Sequence, residues 1–137
     1  MKRVECDAVF GSSIDKIWKV MTDNTNYGWR SDLSKIEVQD GGNRFIEYAK
    51  NGYPTEFVVT LKIPHERYEF DIENGNMSGH WTGIFTKVNG RVKVTFIEEV
   101  KVKKIIMRFF VGMYLRKQQK QYIADLKHAL GEDSFAK

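Results

Sequence analysis

Through most of this chain, hydrophobic and polar positions alternate with period two, and only two stretches break that rhythm. Val4, Cys6, Ala8 and Phe10 alternate with Arg3, Glu5, Asp7 and Val9. That is the mark of a half-buried strand over residues 2–10. Gly11 breaks it. Ser12 and Ser13 then offer an N-cap, and Asp15 places a negative charge in a first turn. Ile14, Ile17, Trp18 and Met21 follow at helical spacing, which predicts an amphipathic helix of about two to three turns. Residues 23–32 are rich in turn and capping types around Tyr27 and Trp29. They predict a second short helix or a structured loop.

Period two then returns as a meander. Strands are predicted over residues 33–39, 44–50, 55–63, 68–73, 80–86 and 92–100. Asp40-Gly41-Gly42-Asn43, Asn51-Gly52, Asn74-Gly75-Asn76 and Asn89-Gly90 separate them as turn signals. Pro64 closes the third strand of the meander, because proline cannot donate to a ladder. From Lys103 the pattern predicts a helix of about 27 residues, with Gly131 placed as its C-terminal stop. At 100° per residue its inward stripe is Ile105, Gly112, Leu115, Gln119, Tyr122, Ile123, Leu126 and Leu130.

The element order predicts an α+β fold: a curved seven-stranded antiparallel sheet wrapped around a long C-terminal helix, with one or two short helices after the first strand. Seven twisted strands do not stay flat, and curling around the helix covers one face. Residues 1–131 form one domain in this reading, and residues 132–137 a short flexible tail.

Certain residues carry a family resemblance. Ser13, Ile17 and Trp18 on the first helix, then Asp23, Tyr27 and Trp29, resemble the helix-grip superfamily SRPBCC. That superfamily includes START lipid-transfer domains, plant Bet v-like proteins and polyketide cyclases. The meander ending in residues 95–100 and the terminal helix ending in residues 122–127 are similar to it as well. The resemblance lies in the order of elements and covers nearly the whole chain. It implies an internal cavity; members share a cavity and not a reaction.

Composition adds detail. The chain has 137 residues, of which 13% are aromatic, a share suited to a bulky core or a ligand-lined cavity. A single cysteine, Cys6, excludes an intrachain disulfide and fits a reducing compartment. The N-terminus is interrupted by Lys2, Arg3, Glu5 and Asp7, so no secretory signal is expected, and no apolar run is long enough to span a bilayer as a helix. A cytoplasmic location without an integral membrane segment is expected. The net charge of +4 is uneven: residues 1–100 carry 13 basic and 15 acidic side chains, residues 101–137 nine basic and three acidic. A solvated helix face accounts for this, since the basic residues do not interleave with sheet aromatics as in an RNA-recognition module. No nucleic-acid partner is expected.

Candidate chemistry is sparse. His65, His80 and His128 lack ligand spacing with each other or with Cys6, so no metal is expected. No Gly-rich run joins a strand to a helix as a phosphate loop requires, and no cofactor is expected. Trp81 sits between Gly79 and Gly83, which leaves room for a bend or for a ligand. Glu98 shares a strand face with Val94 and Phe96, and Glu47 with Phe45 and Ala49, so both are expected to point inward, although carboxylates alternating on strands more often form a solvated outer face. Arg108 falls in the inward stripe beside Gly112. It either meets Glu98, Glu47 or a ligand anion in the cavity, or snorkels to the rim. The run from Ile105 to Tyr114 is apolar nearly all round. It packs under the Tyr27/Trp29 loop, guards a cavity mouth, or forms a dimer or membrane contact.

The function expected is a binding or carrier domain for a small hydrophobic molecule, lipid- or polyketide-like, as a monomer or homodimer. Its ligand-binding residues would be Trp29, Glu47, Phe57, Tyr68, Trp81, Phe96, Glu98, Arg108, Phe109 and Gly112. No catalytic residue is assigned. Two alternatives stand beside it. One is a polyketide cyclase/dehydrase-like enzyme using an inward Glu or Tyr such as Glu98, Glu47, Tyr48 or Tyr68. The other is an interaction module or homodimer built on the apolar start of the last helix.

Overall fold

In the computed structural model, which describes residues 1–132, a β-strand opens the chain: β1 (Lys2–Phe10). Helix α1 (Ile14–Thr22) follows it, with Ser13 as the N-cap; the Ser13 hydroxyl accepts from the Lys16 amide at 3.2 Å. Ile17, Trp18 and Met21 are buried, as the helical spacing requires. Residues 23–32 form a turn-rich loop rather than a second helix.

The meander comprises β2 (Leu33–Gln39), β3 (Arg44–Ala49), β4 (Pro54–Ile63), β5 (Arg67–Glu73), β6 (Met77–Val88) and β7 (Arg91–Val102). All neighbours are antiparallel, and the seven strands lie in the order β1-β7-β6-β5-β4-β3-β2. Strands β1 and β2 are therefore at opposite edges, and α1 with its loop carries the chain across the sheet. The last helix, α2 (Val111–Ala129), packs on β1, β7 and α1. Gly131 follows it at φ 76°, the left-handed stop that a glycine tolerates. This is the predicted α+β helix-grip architecture.

The core follows strand parity. Phe45, Phe57, Tyr68, Phe70, Ile72, Trp81, Phe85, Val94 and Phe96 project from the sheet onto Ile17, Trp18, Leu126 and Leu130 of the helices. A second, smaller cluster of Val4, Met77, Val100, Val102, Val111 and Leu115 lies under the start of α2. The two glycines beside Trp81 prove to have separate reasons. A Cβ on Gly79 would strike the Glu99 carbonyl of β7. A Cβ on Gly83 would lie 2.9 Å from the Trp81 ring. Gly79 thus allows close strand approach, and Gly83 makes room for the Trp81 indole.

One prediction fails in an informative way. The long helix does not begin at Lys103. The period-two pattern runs on through Val100 to Val102, which is buried opposite Met77, so β7 ends two residues later than expected. A 3₁₀ turn follows (Ile105–Phe109), and Phe110 at φ −115° interrupts the backbone before α2. A helical-wheel phase is meaningful only along one continuous helix, so the arc counted from Ile105 does not carry across this break. Ile105 is exposed, not inward. From Gly112 to Leu130 the predicted stripe holds, with every member buried or half-buried.

Glu132 is tied to the turn between β1 and α1. The Glu132 carboxylate accepts from the backbone amides of Gly11 and Ser12 at 2.8 and 3.0 Å, and from the Ser12 hydroxyl. Of the predicted tail only Glu132 is among the described residues; residues 133–137 lie outside them. No helix among the described residues is long and apolar enough to cross a membrane.

Candidate functional site

A pocket of about 300 Å³ opens between the concave face of the sheet and the first half of α2. Alternation along the strands decides what faces it. Glu47 and Ala49 come from β3, Phe57 from β4, Phe70 and Ile72 from β5, Trp81 from β6, and Phe96 and Glu98 from β7. Helix α2 contributes Leu115, Gln119 and Tyr122, while Met107, Tyr114 and Tyr53 stand around the opening. The aromatic wall is rigid: Trp81 stacks on Phe70 at 4.7 Å and Phe45 on Phe57 at 4.8 Å. Tyr122 meets Phe96 edge to face at 5.8 Å.

The polar chemistry is concentrated on one side. Arg30, from the loop before β2, donates from Nε and Nη2 to both oxygens of Asp32, at 3.1 Å each. Its Nη1 donates to Glu47 Oε2 at 3.2 Å. The same guanidinium lies 5.0 Å from the Tyr122 ring centroid and 5.7 Å from that of Trp29. Burial opposes the charge on Arg30, but Glu47 and Asp32 outweigh it and hold the guanidinium firmly protonated. Burial pushes the Glu47 carboxyl above the ordinary carboxylate range, with Arg30 pulling it back. Burial likewise raises the Tyr122 phenol, so the ring enters the site neutral.

Glu98 differs from these. Among the described residues no ion pair or hydrogen bond reaches its carboxyl. Burial, helped by the negative charge of Glu47, pushes it up to about 7. Near neutral pH about half of this group is therefore the protonated acid, which can donate a hydrogen bond. Gln119 Nε2 is buried without a hydrogen-bond partner, and Gln119 too lines the pocket. Two donors are therefore unspent in a largely apolar space.

The ten residues expected to bind ligand are sorted by this geometry. Glu47, Phe57, Trp81, Phe96 and Glu98 line the pocket together. Trp29 and Tyr68 stand one layer behind. Trp29 packs edge-on to Tyr122 at 5.4 Å, and the Tyr68 hydroxyl accepts from Asn24 Nδ2 at 3.4 Å within the core. Arg108 and Phe109 are on the exposed 3₁₀ turn, outside the pocket, so Arg108 meets neither Glu98 nor Glu47. Gly112 is buried for another reason. The Lys2 side chain crosses it, and an added Cβ there would lie 2.7 Å from Lys2 Cε.

The inward arginine that the carboxylates need is Arg30. Loop residues have no period, so counting along elements cannot find it. The available signal was the run Trp29-Arg30-Ser31-Asp32, a cation set between an aromatic and a carboxylate in a capping-rich loop. Asp125 fixes that loop to the helix: it accepts from the Ser31 amide at 2.9 Å and the Ser31 hydroxyl at 2.8 Å.

No protein-family model matches the sequence, and no curated protein is similar to it. Comparison of folds is more informative. The chain shares its helix-grip fold with a START superfamily protein and with an ARO/CYC protein. A conserved protein from Geobacillus kaustophilus superposes with a TM-score of 0.83 at 12% identity, with 96% of each chain covered. A START superfamily protein from Mycobacterium smegmatis does so with a TM-score of 0.73 at 10% identity, over 93% of this chain and 98% of that one. The di-domain ARO/CYC protein BexL of the BE-7585A biosynthetic pathway gives a TM-score of 0.77 at 17% identity. In that case 96% of this chain matches 47% of BexL.

Proposed function

We propose that this chain is a cytoplasmic binding or carrier domain for a small, largely apolar molecule that carries a hydrogen-bond-accepting oxygen. One observation carries the reading. The cation lining the pocket, Arg30, is already satisfied by Asp32 and Glu47, while the Glu98 carboxyl and Gln119 Nε2 face the pocket unpartnered. A ligand anion would have to compete with two carboxylates for Arg30. A ligand carbonyl or hydroxyl would instead find two free donors, with Phe57, Trp81 and Phe96 supplying apolar contact. The likeness in fold to a START protein supports the carrier reading.

Native mass spectrometry of the purified protein, followed by thermal-shift titration with the molecule it releases, tests this. A stabilising apolar compound with a carbonyl or hydroxyl is the expected result. Stabilisation only by organic anions would defeat it.

A second reading, a cyclase- or dehydrase-like enzyme, is favoured by the Glu98 carboxyl itself. A group that titrates at about 7 beside an apolar cavity is placed to exchange a proton with a substrate oxygen. The likeness in fold to BexL is compatible with it. It predicts that Glu98→Gln abolishes turnover while ligand binding persists.

A further inference from the structure

The 3₁₀ turn and the first turn of α2 carry a run of large apolar side chains that stand in solvent. Ile105, Ile106, Phe109, Phe110 and Met113 are between 59% and 81% exposed, and Tyr114 is 48% exposed. All fall within ten consecutive residues at one end of the fold, where the 3₁₀ turn meets α2. Scattered exposed apolar side chains are ordinary; a contiguous group of large ones marks an interaction surface.

Charge indicates what covers it. Residues 101–124 contain seven basic side chains and no acidic one. Lys101, Lys104, Arg108, Arg116, Lys117 and Lys120 are exposed, and the seventh, Lys103, is held by Glu73. Lys2, crossing Gly112 next to Arg116, adds another cation at the same end. We propose that this surface docks on the face of an anionic phospholipid membrane, with the exposed side chains of the 3₁₀ turn and first turn of α2 entering the headgroup layer and the surrounding cations meeting lipid phosphates.

Apolar side chains set within a basic rim are the composition that binds such an interface. A second copy of the chain fits poorly. A two-fold interface would press this patch onto itself and bring like charges together, with no acid in the segment to offset them. The patch also adjoins the pocket opening: Tyr114 belongs to both, and the half-buried Met107 of the same 3₁₀ turn lines the pocket. A docked molecule would thus hold its opening at the bilayer surface, where an apolar cargo can pass without crossing water. That purpose rests on the carrier reading; the docking itself does not.

Co-sedimentation with phospholipid vesicles tests the docking. The bound fraction is expected to be about tenfold higher on phosphatidylcholine vesicles containing about one third phosphatidylserine than on phosphatidylcholine alone, and to fall in high salt. The double variant Ile106→Ser/Phe109→Ser should lose most of that binding, and Lys104→Gln/Arg108→Gln about as much. All four side chains are exposed, so thermal melting of both variants should match the parent. Failure to bind anionic vesicles, or equal binding to neutral ones, overturns the proposal. So does a dimer in light scattering that the Ile106→Ser/Phe109→Ser change dissolves, which would identify a second copy as the occupant. Ligand titrations without vesicles read the carrier function separately, so the two failures are distinguishable.

Discussion

The Arg30 guanidinium lies 5.0 Å from the centroid of the Tyr122 ring, and at that point a loop, a strand and the last helix meet. Glu47 on β3 and Asp32 before β2 share the same cation. Removing the charge strands two carboxylates against an apolar wall. Arg30→Met is expected to cost about 3–5 kcal/mol in urea denaturation. Arg30→Lys should recover little of it, because an ammonium cannot reproduce the paired hydrogen bonds to Asp32. The double change Arg30→Met/Glu47→Leu should be more stable than Arg30→Met alone, and additivity of the two losses would refute this account.

Glu98 makes stability depend on pH in a particular direction. Below pH 4.5, its ordinary value, the carboxyl is neutral in both folded and unfolded chains and carries no penalty. As pH rises toward about 7, the unfolded chain releases its proton first. The folded state then binds more protons than the unfolded one, so stability falls over that window and the loss is constant above it. Glu98→Gln removes this dependence. Relative to the parent it should be more stable at pH 8 by about 2–3 kcal/mol and nearly equal at pH 4. Paired melting curves across the range check it; a variant that tracks the parent at every pH would show that Glu98 is solvated.

The contrast between Glu98 and Arg108 shows what a single sequence can and cannot locate. Strand parity is local: Glu98 follows Val94 and Phe96, Glu47 follows Phe45, and all of them point inward without knowledge of the rest of the fold. Phe57, Trp81 and Phe96 were legible for the same reason. Helical phase is not local in this way. It accumulates along the element, and the interruption at Phe110 resets it. Arg108, Phe109 and Ile105 were thereby turned from the pocket to solvent, and Gly112 to a position beneath Lys2. Lys104 and Phe110 make no side-chain cap, so the start of the 3₁₀ turn and the start of α2 leave no signature in residue types. Arg30 was missed because a turn-rich loop has no period; its place depends on Asp125, ninety-four residues away in sequence from Ser31.

That long-range tie gives a third prediction. Asp125 is buried on α2 and accepts from Ser31 twice and from Gln121 Nε2 at 2.9 Å. Asp125→Ala removes the acceptor of the part-buried Ser31 amide and hydroxyl bonds and frees the loop that carries Arg30. A loss of about 2–3 kcal/mol is expected. Hydrogen exchange should quicken at residues 29–32, and not in β6. Unchanged exchange in the loop would mean that Arg30, rather than Asp125, holds it.

The volume of the pocket can be tested through a residue that does not line it. A Cβ at Gly83 would sit 2.9 Å from the outer edge of the Trp81 indole, which is clamped on its other face by Phe70 in a stack tilted by only 2°. With Phe70 stacked on the indole, a shift of the ring is expected to intrude on the pocket that it lines. Gly83→Ala should therefore cost about 1–3 kcal/mol as an overpacked site and, on the proposed carrier function, also weaken binding of an apolar ligand. Gly79→Ala is the matched comparison. Its Cβ strikes the backbone of β7 at Glu99, away from the pocket, so it should destabilise to a similar degree and leave ligand affinity unchanged at temperatures where both variants are folded. Isothermal titration of the two variants separates the effects. If both lose affinity equally, general destabilisation explains the loss and Trp81 does not set the pocket's volume.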